Sequence, residues 1–423
     1  LKNSFREISG SVCAPRGFKA AAVFCDIKKL GTGKGSEKGK KPDLALIVSD
    51  VPAAVAGMFT TNQVCAAPVK LSRQRAAKKF ARAIVVNSGN ANACTGRPGI
   101  ADAKRMTRVA ASALKLKESD VLVCSTGRIG VPMPMKNVER GIRECAPLLA
   151  RSTTNARQTA EAIMTTDTRR KEIAVEFKVG RSTIRIGGIC KGAGMIQPLM
   201  KHATMLALIT SDAAIEANAL KRALDAAVVQ SFNRITVDGD MSTNDSVIMF
   251  ANGLAGNSRI EAFQGGLNYV CLELAKMIVR DGEGVSRFVT LHVHGARNTR
   301  DAELAARSIA NSSLVRTSWC GGDPNWGRVL CALGYCGAHV DETIVDVGYA
   351  KPDSREIVFA FRRGRPTNIS LKTLANITSA PEFDLHVDLH RGRGRFTMYA
   401  SDLTENYVAF NKGDVNDPGT LGG

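Results

Sequence analysis

Lys191-Gly-Ala-Gly-Met-Ile-Gln-Pro198, followed by His202-Ala203-Thr204-Met205-Leu206-Ala207, is the stretch on which the reading of this chain turns. A glycine-rich, apolar turn leads to a small residue, Ala203, and then to a threonine. The run from Thr204 to Asp212 predicts a helix-like segment, apolar as far as Ile209. A threonine hydroxyl is a weak nucleophile and needs a base. An N-terminal threonine can use its own α-amine, whose reference pKa of roughly 7.7–8.0 leaves a useful neutral fraction near pH 7. A chain that cuts itself before Thr204 would gain both groups in one step, because the same nitrogen in the uncut chain is an amide. The cut would start with attack of the Thr204 hydroxyl on the Ala203 carbonyl, followed by hydrolysis of the ester. The plain alternative is that Thr204 caps a helix.

Outward from this stretch, composition sets the frame. The chain has 423 residues, 44% hydrophobic and 23% charged, which suits a globular protein with room for two lobes. It has no run of 18 apolar residues and no apolar segment of the secretory type at its start, so neither a membrane span nor a secretory signal is expected. Leu1 in place of a methionine leaves room for an upstream targeting segment. The eleven cysteines are scattered and form no Cys-x-x-Cys pair. A reducing compartment is therefore expected, with cysteines acting as small buried hydrophobes. The net charge of +19 raises nucleic-acid binding. The basic residues are spread along the chain and aromatics make up only 5%, so a generally basic surface is favoured and no nucleic-acid partner is expected.

Short apolar runs at 20–25, 43–49, 83–87, 121–124, 172–177, 183–189, 246–249 and 288–294 read as strands. Helical patterns cover about 100–115, 138–164, 213–232, 262–280, 302–312 and 326–333, and 343–410 reads as strands with one helix near Ile369. The elements mix without strict alternation or repeat, which makes the fold class α+β, layered, in two lobes. Gly31-Thr-Gly-Lys-Gly-Ser-Glu-Lys-Gly-Lys-Lys-Pro42 has the wrong spacing for a phosphate loop and reads as a solvated hairpin loop. Ser88-Gly-Asn-Ala-Asn-Ala-Cys-Thr-Gly96 reads as tight turns. Ser125-Thr126-Gly127 ends a buried strand, where a hydroxyl and a backbone N–H can face a cleft as oxyanion donors; on the residues alone an ordinary strand-to-loop turn is the preferred reading. His386, Asp388 and His390 fall on one face of an expected strand. They read as solvated, as do His292 and His294, and no metal is expected.

The chain resembles the ornithine acetyltransferase family. The likeness runs through Ala14-Pro-Arg-Gly-Phe-Lys-Ala20, Asp43-Leu-Ala-Leu-Ile-Val-Ser-Asp-Val-Pro52, Gly57-Met-Phe-Thr-Thr-Asn62 and Val86-Asn-Ser-Gly-Asn-Ala-Asn-Ala-Cys-Thr-Gly96. It continues in Cys124-Ser-Thr-Gly127, Met164-Thr-Thr-Asp-Thr168, Lys191-Gly-Ala-Gly-Met-Ile196, Thr236-Val-Asp-Gly-Asp240 and Ser242-Thr-Asn-Asp-Ser246. Asp281-Gly-Glu-Gly284, Gly327-Arg-Val-Leu330 and Asp402-Leu-Thr-Glu-Asn-Tyr-Val408 complete it. The order and spacing of these segments, rather than any one of them, make it specific.

The resemblance implies a self-cleaving enzyme that moves an acetyl group from N-acetylornithine to glutamate in arginine biosynthesis, with no cofactor. Some members also take acetyl-CoA as donor. It implies cleavage between Ala203 and Thr204, an alpha chain of residues 1–203 and a beta chain of 204–423, and a heterotetramer of two copies of each. It assigns the nucleophile to Thr204, the oxyanion hydroxyl to Thr126 and the oxyanion N–H to Gly127. Substrate contacts fall on Thr165, Lys191, Thr204, Glu283 and Asn411. Lys191 can neutralise a substrate carboxylate and Glu283 can receive an amino group. The compartment it implies is cytoplasm or mitochondrial matrix. Two departures stand out: Lys201 and His202 lengthen the segment between Pro198 and Thr204 by two residues, and the tail after Asn411 differs from the usual one, which leaves the family's last tail contact unassigned. The rival readings are an amidohydrolase or aminopeptidase with the same self-cleaving chemistry, and an uncleaved, inactive basic binding protein.

Overall fold

The computed structural model describes residues 5–28, 41–197 and 205–412. Ala203 and Thr204, with Lys201 and His202, lie outside the described residues, as do the Gly31–Lys40 part of the glycine-lysine run and the tail beyond Lys412. The described residues divide into two units. The first holds those up to Asn233, then Asp240–Ile278 and Lys412; the second holds Arg234–Gly239 and Val279–Asn411.

The first unit contributes β1 (Phe5–Glu7), β2 (Phe18–Val23), β3 (Leu44–Phe59), β4 (Phe80–Asn90), β5 (Val121–Arg128), β6 (Lys171–Val179), β7 (Ser182–Lys191) and β8 (Leu206–Ala214). After β9 (Ile235–Thr236), which belongs to the second unit, it adds β10 (Ser246–Asn257). These form one mixed sheet in the order β1-β6-β7-β8-β10-β3-β4-β5, with β2 paired to β3. Its helices are α1 (Ala67–Ala76), α2 (Gly96–Leu114), α3 (Met135–Cys145), α4 (Thr153–Ala162), α5 (Ala217–Val229) and most of α6 (Ile260–Arg280).

β8 corrects the expectation of a helix after Thr204. The nine residues from Leu206 lie between β7, antiparallel to them, and β10, parallel to them. A strand buried on both faces carries an unbroken apolar run, which periodicity does not separate from a buried helix segment. Leu206 and Leu208 join the core that holds Ile84, Val86, Ile189 and the α4 side chains Ala156 and Ala160. On the opposite face, Ile209 pairs with Gly188, whose missing side chain leaves room for Leu274 and Val270 of α6. A further core on the other side of β4, with Ala83 and Val85, packs Met106 and Ala110 of α2 and Ile142 of α3. The edge strand β5 is covered by α1, where the Ser72 hydroxyl donates to the Val123 carbonyl (2.6 Å) and accepts from the Val123 N–H (2.9 Å). Such cover blunts an edge that could otherwise pair with another chain.

In the second unit, β11 (Phe288–Ala296), β12 (Asp346–Ala350), β13 (Val358–Arg362), β14 (Arg365–Pro366), β15 (Glu382–Asp388) and β16 (Gly394–Ser401) join β9 in the order β14-β13-β12-β15-β11-β16-β9. Alternate residues Val289, Leu291, Val293, Phe383, Leu385 and Val387 face a core completed by Ala302, Ala306, Trp319, Val329 and Leu374. Those partners come from α7 (Thr299–Asn311), α8 (Ser313–Cys320), α9 (Trp326–Gly334) and α10 (Leu371–Thr378). The expected single helix in the last segment is joined by a second, α11 (Glu405–Phe410). The free cysteines behave largely as expected, with Cys13, Cys25, Cys124, Cys145, Cys190, Cys271 and Cys336 buried. No helix among the described residues is long and apolar enough to cross a membrane.

Because Leu208 and Ile209 are buried on opposite faces of β8, Leu208→Ala and Ile209→Ala should each lower the unfolding free energy by about 2–5 kcal/mol in urea titrations. A loss below about 1 kcal/mol at either position would contradict a strand buried on both faces.

Candidate active site

Two groups of residues surround the start of β8 in the first unit. The first is gathered by a carboxylate. Asp167, in the turn between α4 and β6, accepts from the Thr165 N–H (2.9 Å), the Gly192 N–H (2.7 Å) and the Lys171 ammonium (2.6 Å). Asp167 and Lys171 are both buried, and Lys191 adds a further attraction. Burial alone would raise the carboxyl pKa; Lys171, Lys191 and the Gly192 N–H together hold it far below the usual carboxylate range. Thr165 and Lys191 are thus fixed on either side of one anion. Lys191 ends β7 and pairs in register with Leu206, two residues beyond Thr204. Gly192 follows at φ 152°, where a Cβ would lie 2.8 Å from Ile196. The turn continues through Met195 at φ 57° to Gln197, whose N–H donates to the Asp240 carbonyl (2.7 Å).

Lys28 belongs to the same charge cluster. It is buried, its ammonium donates to the Pro42 carbonyl (3.1 Å), and it feels Asp43, Lys41, Asp167 and Lys191. Burial pulls its pKa down to about 8, against the attraction of Asp43.

The second group is organised around Thr126 and Gly127. β5 does not stop at Cys124 but runs to Arg128, with Ser88 opposite Thr126 and Gly89 opposite Gly127. Gly127 sits at φ 127°, and a Cβ there would lie 2.4 Å from the Gly89 carbonyl carbon. Only glycine fits. The asparagine-rich stretch departs from the expected tight turns in its first three residues, which end β4, and in Gly96, which opens α2. Asn87 donates its side-chain amide to the Asn90 carbonyl (2.9 Å), and the Asn90 side chain accepts from the Asn92 N–H (2.8 Å).

A short segment bridges this group to β8. The Asn244 side-chain amide donates to the carbonyls of Ala91 and Ser125 (2.8 Å to the latter). Two residues later the Ser246 N–H donates to the Met205 carbonyl (2.8 Å). Two residues span at most about 7 Å. The residue after Thr204 and the residue before Thr126 are therefore held from one tripeptide.

In the second unit, Glu283 and Asn411 come together. Glu283 is buried and accepts from the Asn411 side-chain amide (2.9 Å). Gly284 makes this approach possible: its φ is 66°, and a Cβ would meet the Tyr407 nitrogen at 2.3 Å. The Thr404 hydroxyl caps α11 and also donates to the Gly284 carbonyl (2.6 Å).

A model of the ArgJ family matches residues 20–413. This chain belongs to the ArgJ family. It is 46% identical over 411 residues to the arginine biosynthesis bifunctional protein ArgJ of Symbiobacterium thermophilum, covering 96% of this chain and 98% of that one. It is 45% identical over 417 residues to the glutamate N-acetyltransferase of Methanocaldococcus jannaschii, with the same coverage. Among solved structures, ornithine acetyltransferase complexed with ornithine from Mycobacterium tuberculosis is 34% identical, with a TM-score of 0.41, covering 48% of this chain and 99% of that one.

Reading the sequence did not single out Asp167, Lys171, Lys28 or Asn244. Asp167 and Asn244 stood inside segments that carried the family likeness, Met164–Thr168 and Ser242–Ser246. Lys28 lies just before the Gly31–Pro42 run and was given no role. The alternative of Thr204 as a helix cap loses its helix, since β8 begins at Leu206. Of the expected histidine row, His390 falls beyond the end of β15, at φ 48°, and its Nε2 lies 2.9 Å from Asp346. The chain turns out of the strand after Asp388, so the three residues do not share a face.

Removing one partner of a buried pair leaves a bare charge. Asp167→Ala and Lys171→Met should each cost about 3–5 kcal/mol of stability. The double variant should cost clearly less than their sum, which a double-mutant cycle in urea measures.

Proposed function

We propose that this chain transfers the acetyl group of N2-acetylornithine to glutamate through an acetyl ester on Thr204, after cleaving itself between Ala203 and Thr204. Membership of the ArgJ family supports the reaction, and the names of the relatives support a place in arginine biosynthesis. The observation that carries the assignment of parts is the tripeptide 244–246, which grips the carbonyls of Ser125 and Met205 together.

The Thr204 hydroxyl attacks the acetyl carbonyl of the donor while its α-amine takes the proton. The oxyanion that forms is met by the Thr126 hydroxyl and the Gly127 N–H. Collapse breaks the amide bond, and the departing α-amine of ornithine takes the proton. Glutamate then attacks the ester through its own α-amine, gives up a proton to the Thr204 amine, and leaves as N-acetylglutamate with the hydroxyl restored. A covalent intermediate lets two amino acids use one pocket in turn.

Lys191 receives a substrate carboxylate, since the cluster of Lys28, Lys171 and Lys191 exceeds Asp43 and Asp167 by one positive charge and draws anions. Thr165 contributes a polar contact beside it. Glu283 receives an amino group, with Asn411 holding its carboxylate in place. Acetyl-CoA serves as an alternative donor and no cofactor takes part. Residues 1–203 form the alpha chain and 204–423 the beta chain, two of each assembling in a heterotetramer. The free cysteines fit a reducing compartment, cytoplasm or mitochondrial matrix.

Under denaturing conditions the protein should run as two bands in place of one at 45.1 kDa, and sequencing of the second fragment should begin Thr-Met-Leu-Ala. Thr204→Ala should abolish both cleavage and transfer, whereas Thr204→Ser should keep part of each. Full cleavage of the alanine variant would point to an external protease. Incubation with N2-acetylornithine alone should add one acetyl group to the fragment starting at Thr204, visible by mass spectrometry after rapid quenching. Absence of both the adduct and parallel-line kinetics would require direct transfer in a ternary complex. Acetate release that ignores glutamate would indicate an amidohydrolase.

Lys28 sets a pH dependence. Its depressed pKa means that it is charged below about pH 8 and neutral above. Loss of that charge beside Lys191 weakens the attraction for a carboxylate, so KM for glutamate should rise roughly three- to tenfold between pH 7 and pH 9. The rise should be flattened in Lys28→Met, measured as KM and not kcat because the Thr204 amine titrates in the same range.

A further inference from the structure

The second unit's sheet has one apolar face and one polar face. The polar face carries His292 and His294 on β11, and Asp384 and His386 on β15. β11 and β15 are parallel and in register, with His292 directly opposite His386 and Thr290 opposite Asp384. The two imidazoles stack with centroids 4.7 Å apart. One donor atom from each of His292, Asp384 and His386 lies within 4.8 Å of the others, the only such cluster among the described residues.

Three observations ask for a ligand here. Both ring nitrogens of His386 are shut off from solvent and have no hydrogen-bond partner. Asp384 is a buried carboxylate whose ion-pair contact is His292, with Oδ2 3.8 Å from Nε2; it also accepts from the Asp353 N–H (3.1 Å). His292 is oriented by Thr397, whose hydroxyl lies 3.3 Å from Nδ1 and leaves Nε2 turned to Asp384. Across β12, the neighbour of His386 is Gly348, which adds no side chain to the cluster.

We propose that His292, Asp384 and His386 bind a divalent transition-metal ion, zinc foremost, with water in the fourth position. Two imidazoles and a carboxylate are a standard donor set for such ions. Zinc–ligand bonds near 2.1 Å put donor atoms about 3.4 Å apart in a tetrahedron. Side-chain rotations of about 1 Å on a fixed pair of strands close the present gap. The ion supplies the counter-charge that Asp384 lacks and the partner that His386 lacks. Thr397 and the Asp353 N–H act as the outer contacts that orient two of the ligands. The bound ion clamps β11 to β15. The site is independent of the acetyl-transfer reading and uses none of its residues.

The test is zinc titration of tag-free, chelator-stripped full-length protein by calorimetry, with cobalt absorption as a second probe. The wild type should take up one zinc per chain, show the intense visible bands of tetrahedral cobalt, and melt at a higher temperature with zinc. His292→Ala and His386→Ala should each weaken binding at least tenfold while circular dichroism and acetyl transfer stay as in the wild type. Anomalous diffraction at the zinc edge, from wild-type crystals soaked in zinc, should place the ion among the three residues, which keeps the test decisive if a variant fails to fold. No stoichiometric zinc in the wild type, binding by a His292→Ala, His386→Ala double variant equal to that of the wild type, or an anomalous peak elsewhere would overturn the proposal.

Discussion

Asp167 is a carboxylate with no water to solvate it, and that constraint organises the first unit around the start of β8. A buried anion is tolerated only when its oxygens are filled with donors. Here the donors come from three places: the loop after α4 through the Thr165 N–H, the first residue of β6 through the Lys171 ammonium, and the turn after β7 through the Gly192 N–H. Moving any of them would leave part of a charge bare. The position of Lys191 follows, since its own strand ends where Gly192 is held. One polar group, costly alone, thereby converts three loosely defined backbone segments into a fixed arrangement.

A second constraint is steric. Gly127 has a positive φ and lies against the backbone of Gly89. The end of β5 can approach β4 so closely only because neither residue carries a side chain. Asn244 then adds a donor pair that no main-chain ladder could offer, reaching the Ala91 and Ser125 carbonyls from a loop preceding another strand. Ala91 follows the last residue of β4 and Ser125 lies in the edge strand β5, so a side-chain amide supplies donors from outside the ladder. The Asp167 and Asn244 arrangements meet at β8: Lys191 pairs with Leu206 on one side, and Ser246 with the residue before it on the other.

Most strands and several helices could be read from apolar runs because each is bounded by turn residues, whereas α1 and α8 were not read as helices. The middle of the asparagine-rich stretch could be read as turns because amide side chains favour them. β8 could not, because a strand buried on both faces has no period. β3 hid its true length of 16 residues behind Asp50 and Pro52, where its register with β4 shifts. The Asp167–Lys171 pair has helical spacing but straddles a turn and the start of a strand, so no pattern in the chain announces it. The likeness to a family supplied names for Thr126 and Lys191, yet the groups that hold their neighbours Ser125 and Gly192, Asn244 and Asp167, are visible only once the chain is folded. The His292–Asp384–His386 cluster was hidden for a related reason: it depends on the register of two parallel strands distant in sequence, while the row that sequence did suggest is broken when His390 leaves the strand.

The topology also bears on where such a chain can be cut. β7 and β8 are adjacent and antiparallel, paired from Ile186 with Ser211 to Lys191 with Leu206. A break between Gln197 and Met205 therefore removes no sheet hydrogen bond. β8 remains between β7 and β10, so the two pieces would share one continuous sheet and the core that packs Leu206 and Leu208. Separating them would expose Ile189, Leu206, Leu208, Ile248 and Phe250 to water, five large side chains at about 1.5–3 kcal/mol each. The connection after β7 is anchored by Gly192 on Asp167 and by Gln197 on Asp240, and the one before β8 by Met205 on Ser246. Gln197 and Met205, the described residues on either side of the break, would keep these anchors, so the described fold need not change around a new amino terminus.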